Sequence, residues 1–188
     1  MIKTVNSKSI IRNGRLRPLE AEDLELVLQW RNSDRVRLNM FSTHVITEEE
    51  HRNWYLKLDY NTCRYLVFEY RQRPDGVVNF TEIDHDNNRC NWGFYLGESD
   101  VPPGIGLLMG YLSMEYVFSV LNIRKLCSQV LGNNEKSIKY HRKLGFKEEG
   151  RLLQHQLHNG VYMDVIILAL FKDDWEGVKD NPLFLQTS

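Results

Sequence analysis

The stretch GESDVPPGIGLLM, residues 97 to 109, places two glycines at the start of a helix that follows a strand. Pro102 and Pro103 prevent a helix before Gly104, because proline has no backbone N–H to donate. Residues 104–122 continue as an apolar run, which predicts a long and largely buried helix. Backbone N–H groups at such a helix N-terminus favour an anion. A plain turn has the same pattern, so the stretch alone leaves both interpretations open.

The residues after Gly106 exclude two common phosphate sites. No Lys-Ser or Lys-Thr pair follows, as a P-loop requires, and no acidic residue ends a strand about 20 positions further on, as a dinucleotide fold requires. The remaining prediction is a pyrophosphate held mostly by backbone groups.

The segments on either side of this stretch alternate between strand and helix patterns. Thr47 and Glu50 form a capping box that begins a helix, and Asn159-Gly160 is typical of a hairpin turn. Strands are predicted over 9–18, 63–70, 76–83, 90–97 and 125–131 and on both sides of the hairpin turn, and helices over 20–32, 47–58, 104–122 and 134–145. We therefore expect an α/β (α+β) fold with one mixed, mostly antiparallel sheet and about four helices.

A second stretch with possible chemistry is NNEKSIKYHRKLGF, residues 133 to 146. On a helical wheel His141 shares one face with Asn134, Ser137 and apolar residues, while the charged residues lie on the other face and Tyr140 lies at the edge. A capped helix with a core histidine fits this pattern as well as a reactive histidine does.

Composition limits the classes of function that remain. The chain has 188 residues and a formal net charge of −1, which disfavours a nucleic-acid partner. We expect one domain over residues 1–175 and a tail over 176–188. No apolar run suits a signal peptide or a membrane span, so no membrane role is expected. Three scattered cysteines indicate a reducing cytoplasm and no disulfide, and no histidine or cysteine spacing indicates a metal site.

Together the two stretches resemble the GCN5-related N-acetyltransferase superfamily, through G-x-G and then N-x-x-S-x-x-x-H-x-x-x-G-F. The resemblance implies acetyl-CoA as co-substrate and His141 in place of the family's tyrosine, which protonates the leaving thiolate. A backbone N–H of the 90–97 strand would stabilise the oxyanion. The usual Gln or Arg of the glycine motif is Val101 here. The resemblance assigns the co-substrate to Phe94, Tyr95, Leu96, Gly104, Ile105, Gly106, Leu107, Asn134 and Ser137.

The N-terminal half resembles the nucleotide-sugar N-acetyltransferases of pseudaminic acid biosynthesis. The matching motifs are W-R-N at 30–32, V-R-x-x-M-x-S-T at 36–43 and E-H-x-x-W at 50–54. This implies acetylation of the 4-amino group of a UDP-linked 4-amino-4,6-dideoxy-N-acetyl-altrosamine. A possible homodimer through a late edge strand is a further expectation from the superfamily.

Several residues are candidates for the acceptor side. Met40, Phe41 and Trp54 would give the deoxy sugar an apolar wall, although core packing explains them equally well. Asn79 could contact the reacting amine. No general base is obvious: Glu82, His85 and Gln129 are candidates, and a water chain would also serve.

Two other functions remain open. The R-L-R-P-L start at 15–19 and the G-F-x-x-E-G segment at 145–150 are shared with ribosomal-protein N-terminal acetyltransferases. A non-catalytic acetyl-CoA-binding module is the alternative from a different class, because His141 replaces the usual tyrosine.

Overall fold

A single seven-stranded sheet organises the chain, in a computed structural model that describes residues 13–180. The strand order is β1-β2-β3-β4-β5-β7-β6. The strands are β1 Gly14–Pro18, β2 Arg64–Tyr70, β3 Arg73–Asp84, β4 Arg89–Leu96, β5 Lys125–Leu131, β6 Lys147–His158 and β7 Val161–Phe171.

The pairing of β4 with β5 creates the site. This pair is parallel, whereas the other neighbouring pairs in the sheet are antiparallel. Its register covers only three positions, the last being Asn91 opposite Cys127. Both strands continue beyond that point without pairing to each other, so the sheet opens between residues 92–96 and 128–131.

Six α-helices are found within residues 13–180: α1 Leu24–Asn32, α2 Asp34–Arg37, α3 Glu48–Leu56, α4 Ile105–Glu115, α5 Glu135–Lys143 and α6 Lys172–Val178. A 3-10 turn, Ala21–Asp23, precedes α1, and a π-helical turn, Tyr116–Val120, continues α4. The capping box at Thr47 is confirmed, since its side chain accepts from the Glu50 N–H.

The predicted element order and the mixed, mostly antiparallel sheet are confirmed. The sequence patterns missed α2 and α6, so there are six helices and not about four. The first strand begins at Gly14, and residues 9–12 of its predicted range lie outside the described residues. The expected tail begins at residue 176, inside α6, and residues 181–188 are not described.

Two clusters of apolar side chains cover the faces of the sheet. The larger one joins β2–β5 and β7 to α4, α5 and α6 and includes the fully buried Trp175. The smaller one packs α1 against the opposite face through Val27, Trp30, Val67 and Val77. Within residues 13–180 no helix is long and apolar enough to cross a membrane.

Candidate active site

A cavity of about 630 Å³ occupies the opening between β4 and β5. It is lined by β3, β4, β5 and the starts of α4 and α5, and by α2 with the residues that follow it. Most residues predicted for the site line it: Met40, Phe41, Asn79, Phe94, Tyr95, Leu96, Gly106, Asn134, Ser137 and His141. The opening in the sheet therefore brings together elements that are far apart in the chain.

The glycine stretch forms one end of the cavity. Gly104 is the N-cap residue of α4 and has a φ of 89°, a left-handed conformation that favours glycine. The Ile105 N–H is 3.3 Å from the Pro102 carbonyl oxygen. The N–H groups of Gly106 and Leu107 lie in the first helical turn, where amides have no intrahelical acceptor. They fit a pyrophosphate, with Gly106 itself at the cavity wall.

The free edge of β4 forms the floor. Residues 92–96 pair with β3 on one side only, so their other backbone groups face the opening. Phe94 stacks on Trp92, with ring centroids 4.4 Å apart, and lies against Tyr140. An unpaired strand edge offers N–H and C=O groups to an amide-bearing chain such as a pantetheine arm.

Helix α5 places His141 at the vertex of the opening, which is the point where β4 and β5 separate. Asn134 caps the helix by accepting from the Ser137 N–H at 3.1 Å. The His141 ring is 1% exposed, and its Nδ1 is 2.7 Å from the Ser137 carbonyl oxygen. Since a carbonyl oxygen only accepts, Nδ1 carries the proton. Nε2 lies 2.8 Å from Ser128 Oγ. Burial lowers the pKa of His141 to about 4, so the ring is neutral at pH 7.

Tyr140 faces the glycine helix and not the vertex. Its hydroxyl donates to the Gly106 carbonyl oxygen at 2.6 Å, and burial raises its pKa. A Cβ atom on Gly110 would lie 2.4 Å from this hydroxyl. Tyr140 therefore fixes the spacing between α4 and α5, and His141 is the residue beside the split strands.

The opposite end of the cavity has a different lining. Met40 and Phe41 form an apolar wall, and the Asn79 side chain lies over Gly93, where an added Cβ would come within 2.8 Å of Asn79 Oδ1. Trp54 packs in the smaller cluster, stacked on His51 and edge-on to Tyr65, and lies outside the lining. Of the three candidate bases, Glu82 and Gln129 line the cavity and His85 does not.

Three arginines lie on α1 and α2, and the sequence patterns assigned them no role. Arg35 donates to the Leu96 and Gly97 carbonyl oxygens and lines the cavity, whereas Arg31 and Arg37 lie outside the lining. Arg31 donates to the Ser42 carbonyl oxygen, and Arg37 donates to that of Thr43 and pairs with Asp34. Arg31 Nη1 and Arg37 Nε are buried, with no hydrogen-bond partner among residues 13–180. Burial lowers the pKa of Arg31. The Arg31 charge also interacts with the side chain of Tyr95, which lines the cavity.

The W-R-N motif holds this region together. The Trp30 indole donates to Glu98 at 2.9 Å, and its ring occupies the space where Gly97 would carry a Cβ. Asn32 exchanges two hydrogen bonds with the Ile46 backbone, at 2.8 and 2.9 Å. The motif thereby anchors the loop that carries Met40 and Phe41.

A helix N-terminus, a free strand edge and a buried histidine around one opening define a transferase that takes its group from a phosphate-bearing donor. The family model described as "Acetyltransferase (GNAT) domain" matches residues 15–147. The chain belongs to this family of N-acetyltransferases.

Two relatives with different names match most of the chain. Spermidine N(1)-acetyltransferase of Escherichia coli strain K12 is 33% identical over 169 residues, which cover 89% of this chain and 91% of the relative. Acetyltransferase PseH of Campylobacter jejuni is 28% identical over 130 residues, covering 68% and 79%. The likeness to PseH, which the N-terminal motifs predicted, is thus weaker than the likeness to the spermidine enzyme.

A solved structure confirms the fold. Spermidine N-acetyltransferase from Vibrio cholerae, in complex with CoA and spermine, has a TM-score of 0.81 at 23% identity. The match covers 88% of this chain and 99% of the other. The predicted GNAT fold is therefore correct.

Proposed function

We propose that this protein transfers the acetyl group of acetyl-CoA to the amine of an anionic nucleotide sugar, of the UDP-4-amino-4,6-dideoxy-N-acetyl-altrosamine type. The observation that carries the proposal is the charge around the acceptor end. Arg35 lines the cavity, whereas Arg31 and Arg37 lie outside its lining, each with a buried N–H group that has no partner among residues 13–180. Arg35 would attract a diphosphate oxygen directly, and the charge of Arg31 would add to this attraction at longer range.

The uncharged side chains that line the acceptor end support the same substrate. Met40 and Phe41 would pack against the methyl group of a deoxy sugar, and Tyr95 adds an aromatic face. Asn79, held over Gly93, would hydrogen-bond near the reacting amine. Glu82 is the one carboxylate among the described lining residues. A polyamine carries several positive charges and would meet arginines where it requires carboxylates.

The donor end supports acetyl-CoA. The amides of Gly106 and Leu107 would hold its pyrophosphate, and the edge of β4 from Phe94 to Leu96 would pair with its pantetheine arm. A backbone N–H of the same edge would stabilise the oxyanion that develops during amine attack.

A polyamine remains the second candidate, because the spermidine enzyme of Escherichia coli matches more of this chain than PseH does. The two acceptors differ in sign of charge. The charge of the acceptor end therefore distinguishes the two candidate substrates.

Release of the CoA thiol from acetyl-CoA distinguishes these functions. The purified protein is offered the UDP-amino sugar, spermidine, or a ribosomal-protein N-terminal peptide at equal concentrations. We expect turnover with the sugar and little with the other two. Turnover with spermidine alone would contradict the proposed acceptor and keep the transfer chemistry. Binding of acetyl-CoA with no turnover of any amine would indicate a non-catalytic module.

A further inference from the structure

Ser128 lies where β4 and β5 separate. It is the first residue of β5 beyond the last paired position, and Trp92 is its counterpart on β4. Ser128 is 3% exposed and lines the cavity beside His141. Its Oγ is 2.8 Å from His141 Nε2 and 3.4 Å from the Trp92 carbonyl oxygen. The first distance is that of a normal hydrogen bond and the second is long.

The direction of this hydrogen bond follows from the other side of the ring. Because Nδ1 of His141 donates to the Ser137 carbonyl oxygen, the neutral ring has a lone pair on Nε2. Ser128 therefore donates its hydroxyl proton to Nε2. The lone pairs of Ser128 Oγ remain available to accept a hydrogen bond from a ligand in the cavity.

A direct proton transfer from His141 to the leaving thiolate is difficult in this arrangement. The proton on Nδ1 is held by a backbone carbonyl, and Nε2 has none to give. A proton must first reach Nε2, and Ser128 is the described group in contact with that atom through a hydrogen bond.

We propose that Ser128 is a catalytic residue that relays the amine proton to His141 and then from His141 to the departing thiolate. This deepens the proposed function and rests on it for acetyl transfer, although it holds for any amine acceptor. Neither residue forms a bond to the acetyl group in this scheme.

The steps balance without a further reactant. The amine nitrogen forms a bond to the acetyl carbonyl carbon, and the C–S bond then breaks with its electron pair going to sulfur. The N–H proton passes to Ser128 Oγ while the proton of Ser128 passes to Nε2. The same path returns one proton to the thiolate, which leaves an amide, a CoA thiol and the original serine and histidine.

The environment of the ring opposes the first proton transfer and favours the second. Burial opposes a lasting positive charge on His141, and its pKa of about 4 lies well below the ordinary thiol value of about 8.5. Transfer from the protonated ring to the thiolate is therefore downhill. His141 acts as a transient carrier.

Substitutions at Ser128 test the relay. Ser128→Ala is expected to lower kcat on the order of 100-fold, a typical value for general acid–base catalysis, with little change in acetyl-CoA affinity by calorimetry. Ser128→Thr and Ser128→Val have nearly the same shape and differ in the hydroxyl group. We expect Thr to retain at least about tenfold more activity than Val, consistent with that contribution. Ser113→Ala is the control, because Ser113 is also fully buried and bonds only within α4, to the Met109 carbonyl oxygen.

A readout independent of turnover is the ¹⁵N NMR spectrum of the His141 ring in the free protein. We expect an unprotonated, hydrogen-bonded Nε2 in the wild type and a shift of that signal in Ser128→Ala. The double variant Ser128→Ala/His141→Phe should be as active as the less active of the two single variants, because the two residues act as one unit.

Three results would overturn the relay. Wild-type kcat in both Ser128→Ala and Ser128→Val would reduce Ser128 to a structural residue. A mass increase of one acetyl group on Ser128, after mixing with acetyl-CoA alone, would make it a nucleophile. A protonated Nε2 in the wild type would reverse the hydrogen bond. If the wild type acetylates spermidine and not the sugar, the proposed acceptor is rejected, and the Ser128 variants assayed with spermidine decide the relay. If the wild type acetylates no amine, both proposals are rejected.

Discussion

The two halves of the cavity bind their ligands in different ways. The donor half consists of α4, the free edge of β4 and α5, and it offers mainly backbone groups around Gly104 and residues 92–96. The acceptor half consists of α2 and the residues that follow it, with α1 packed behind them, and it offers side chains such as Arg35, Met40 and Phe41. Backbone groups do not depend on the identity of the side chain, whereas the contacts of the acceptor half do.

This difference explains why similarity over the whole chain does not decide the acceptor. An identity of 33% to a spermidine enzyme reflects the shared sheet and donor half as well as the acceptor half. The sign of charge at the acceptor end is a more direct guide to the substrate, because a few side chains determine it.

The largest effect is expected in the donor half, from His141→Phe. We expect kcat to fall by roughly 100- to 1,000-fold with every amine that is accepted, because proton transfer acts only in the transition state. Acetyl-CoA affinity, measured by calorimetry, should change little. His158→Phe is the control, since His158 is also buried but lies outside the cavity lining. Equal losses in affinity and turnover would instead indicate a structural histidine.

The second prediction uses the burial of the donor half. His141 has a pKa of about 4 in the folded protein, against about 6.5 in an unfolded chain, so the unfolded state binds its proton first. The stability that neutral His141 provides is complete above about pH 6.5 and is lost as pH falls toward 4, by about 3 kcal/mol. Urea denaturation at pH 7 and 4.5 should therefore show a smaller loss of stability in His141→Phe than in the wild type. Equal losses in the two proteins would contradict the neutral buried ring.

The acceptor half is tested by Arg31→Gln. Arg31 interacts electrostatically with Tyr95 of the lining, so removal of its charge should raise the KM for the UDP-amino sugar about tenfold, a change of about 1.4 kcal/mol. The KM for acetyl-CoA should stay the same, because Arg31 belongs to the other half. Arg142→Gln removes an exposed arginine that pairs with Glu148 on the outer face of α5, and it serves as the matched control. An unchanged KM for the sugar would show that the charge of Arg31 does not contribute to diphosphate binding.

The smallest effects distinguish two glycines of the donor half. Gly104→Ala should destabilise the fold by about 1–2 kcal/mol, because its φ of 89° disfavours a side chain. Gly106→Ala should leave the melting temperature unchanged, since the nearest atom to its added Cβ is Leu96 Cδ1, at 3.7 Å. The pyrophosphate is expected to pass close to Gly106, so the same variant should bind acetyl-CoA several-fold more weakly, a cost of about 1 kcal/mol. Wild-type affinity in Gly106→Ala would place the ligand elsewhere.

The donor half was largely predictable because its elements follow local rules. The glycine at the start of α4 and the Asn134 cap both depend on residues within one helical turn. The order of elements along the chain was also predicted, whereas the order of strands in the sheet was not. What the sequence did not indicate was the end of the β4–β5 pairing after Asn91, which depends on long-range contacts.

The acceptor half and the vertex were harder to predict. Trp54 and Phe41 are both aromatic residues near predicted helices, and no local pattern reveals that one packs in the core and the other lines the cavity. Ser128 is a small polar residue in a strand with no motif of its own. Its alternation with Leu126 and Val130, two core residues of β5, was the available signal that it faces inward.

The central claim is that the acceptor half recognises an anion, and calorimetry with UDP tests it most directly. UDP carries the diphosphate without the amine, so its binding to the CoA-loaded protein reports the arginines alone. We expect UDP to bind the wild type, to bind Arg31→Gln at least about tenfold more weakly, and spermidine not to compete. Binding of spermidine with no binding of UDP would contradict the account and identify a cationic acceptor.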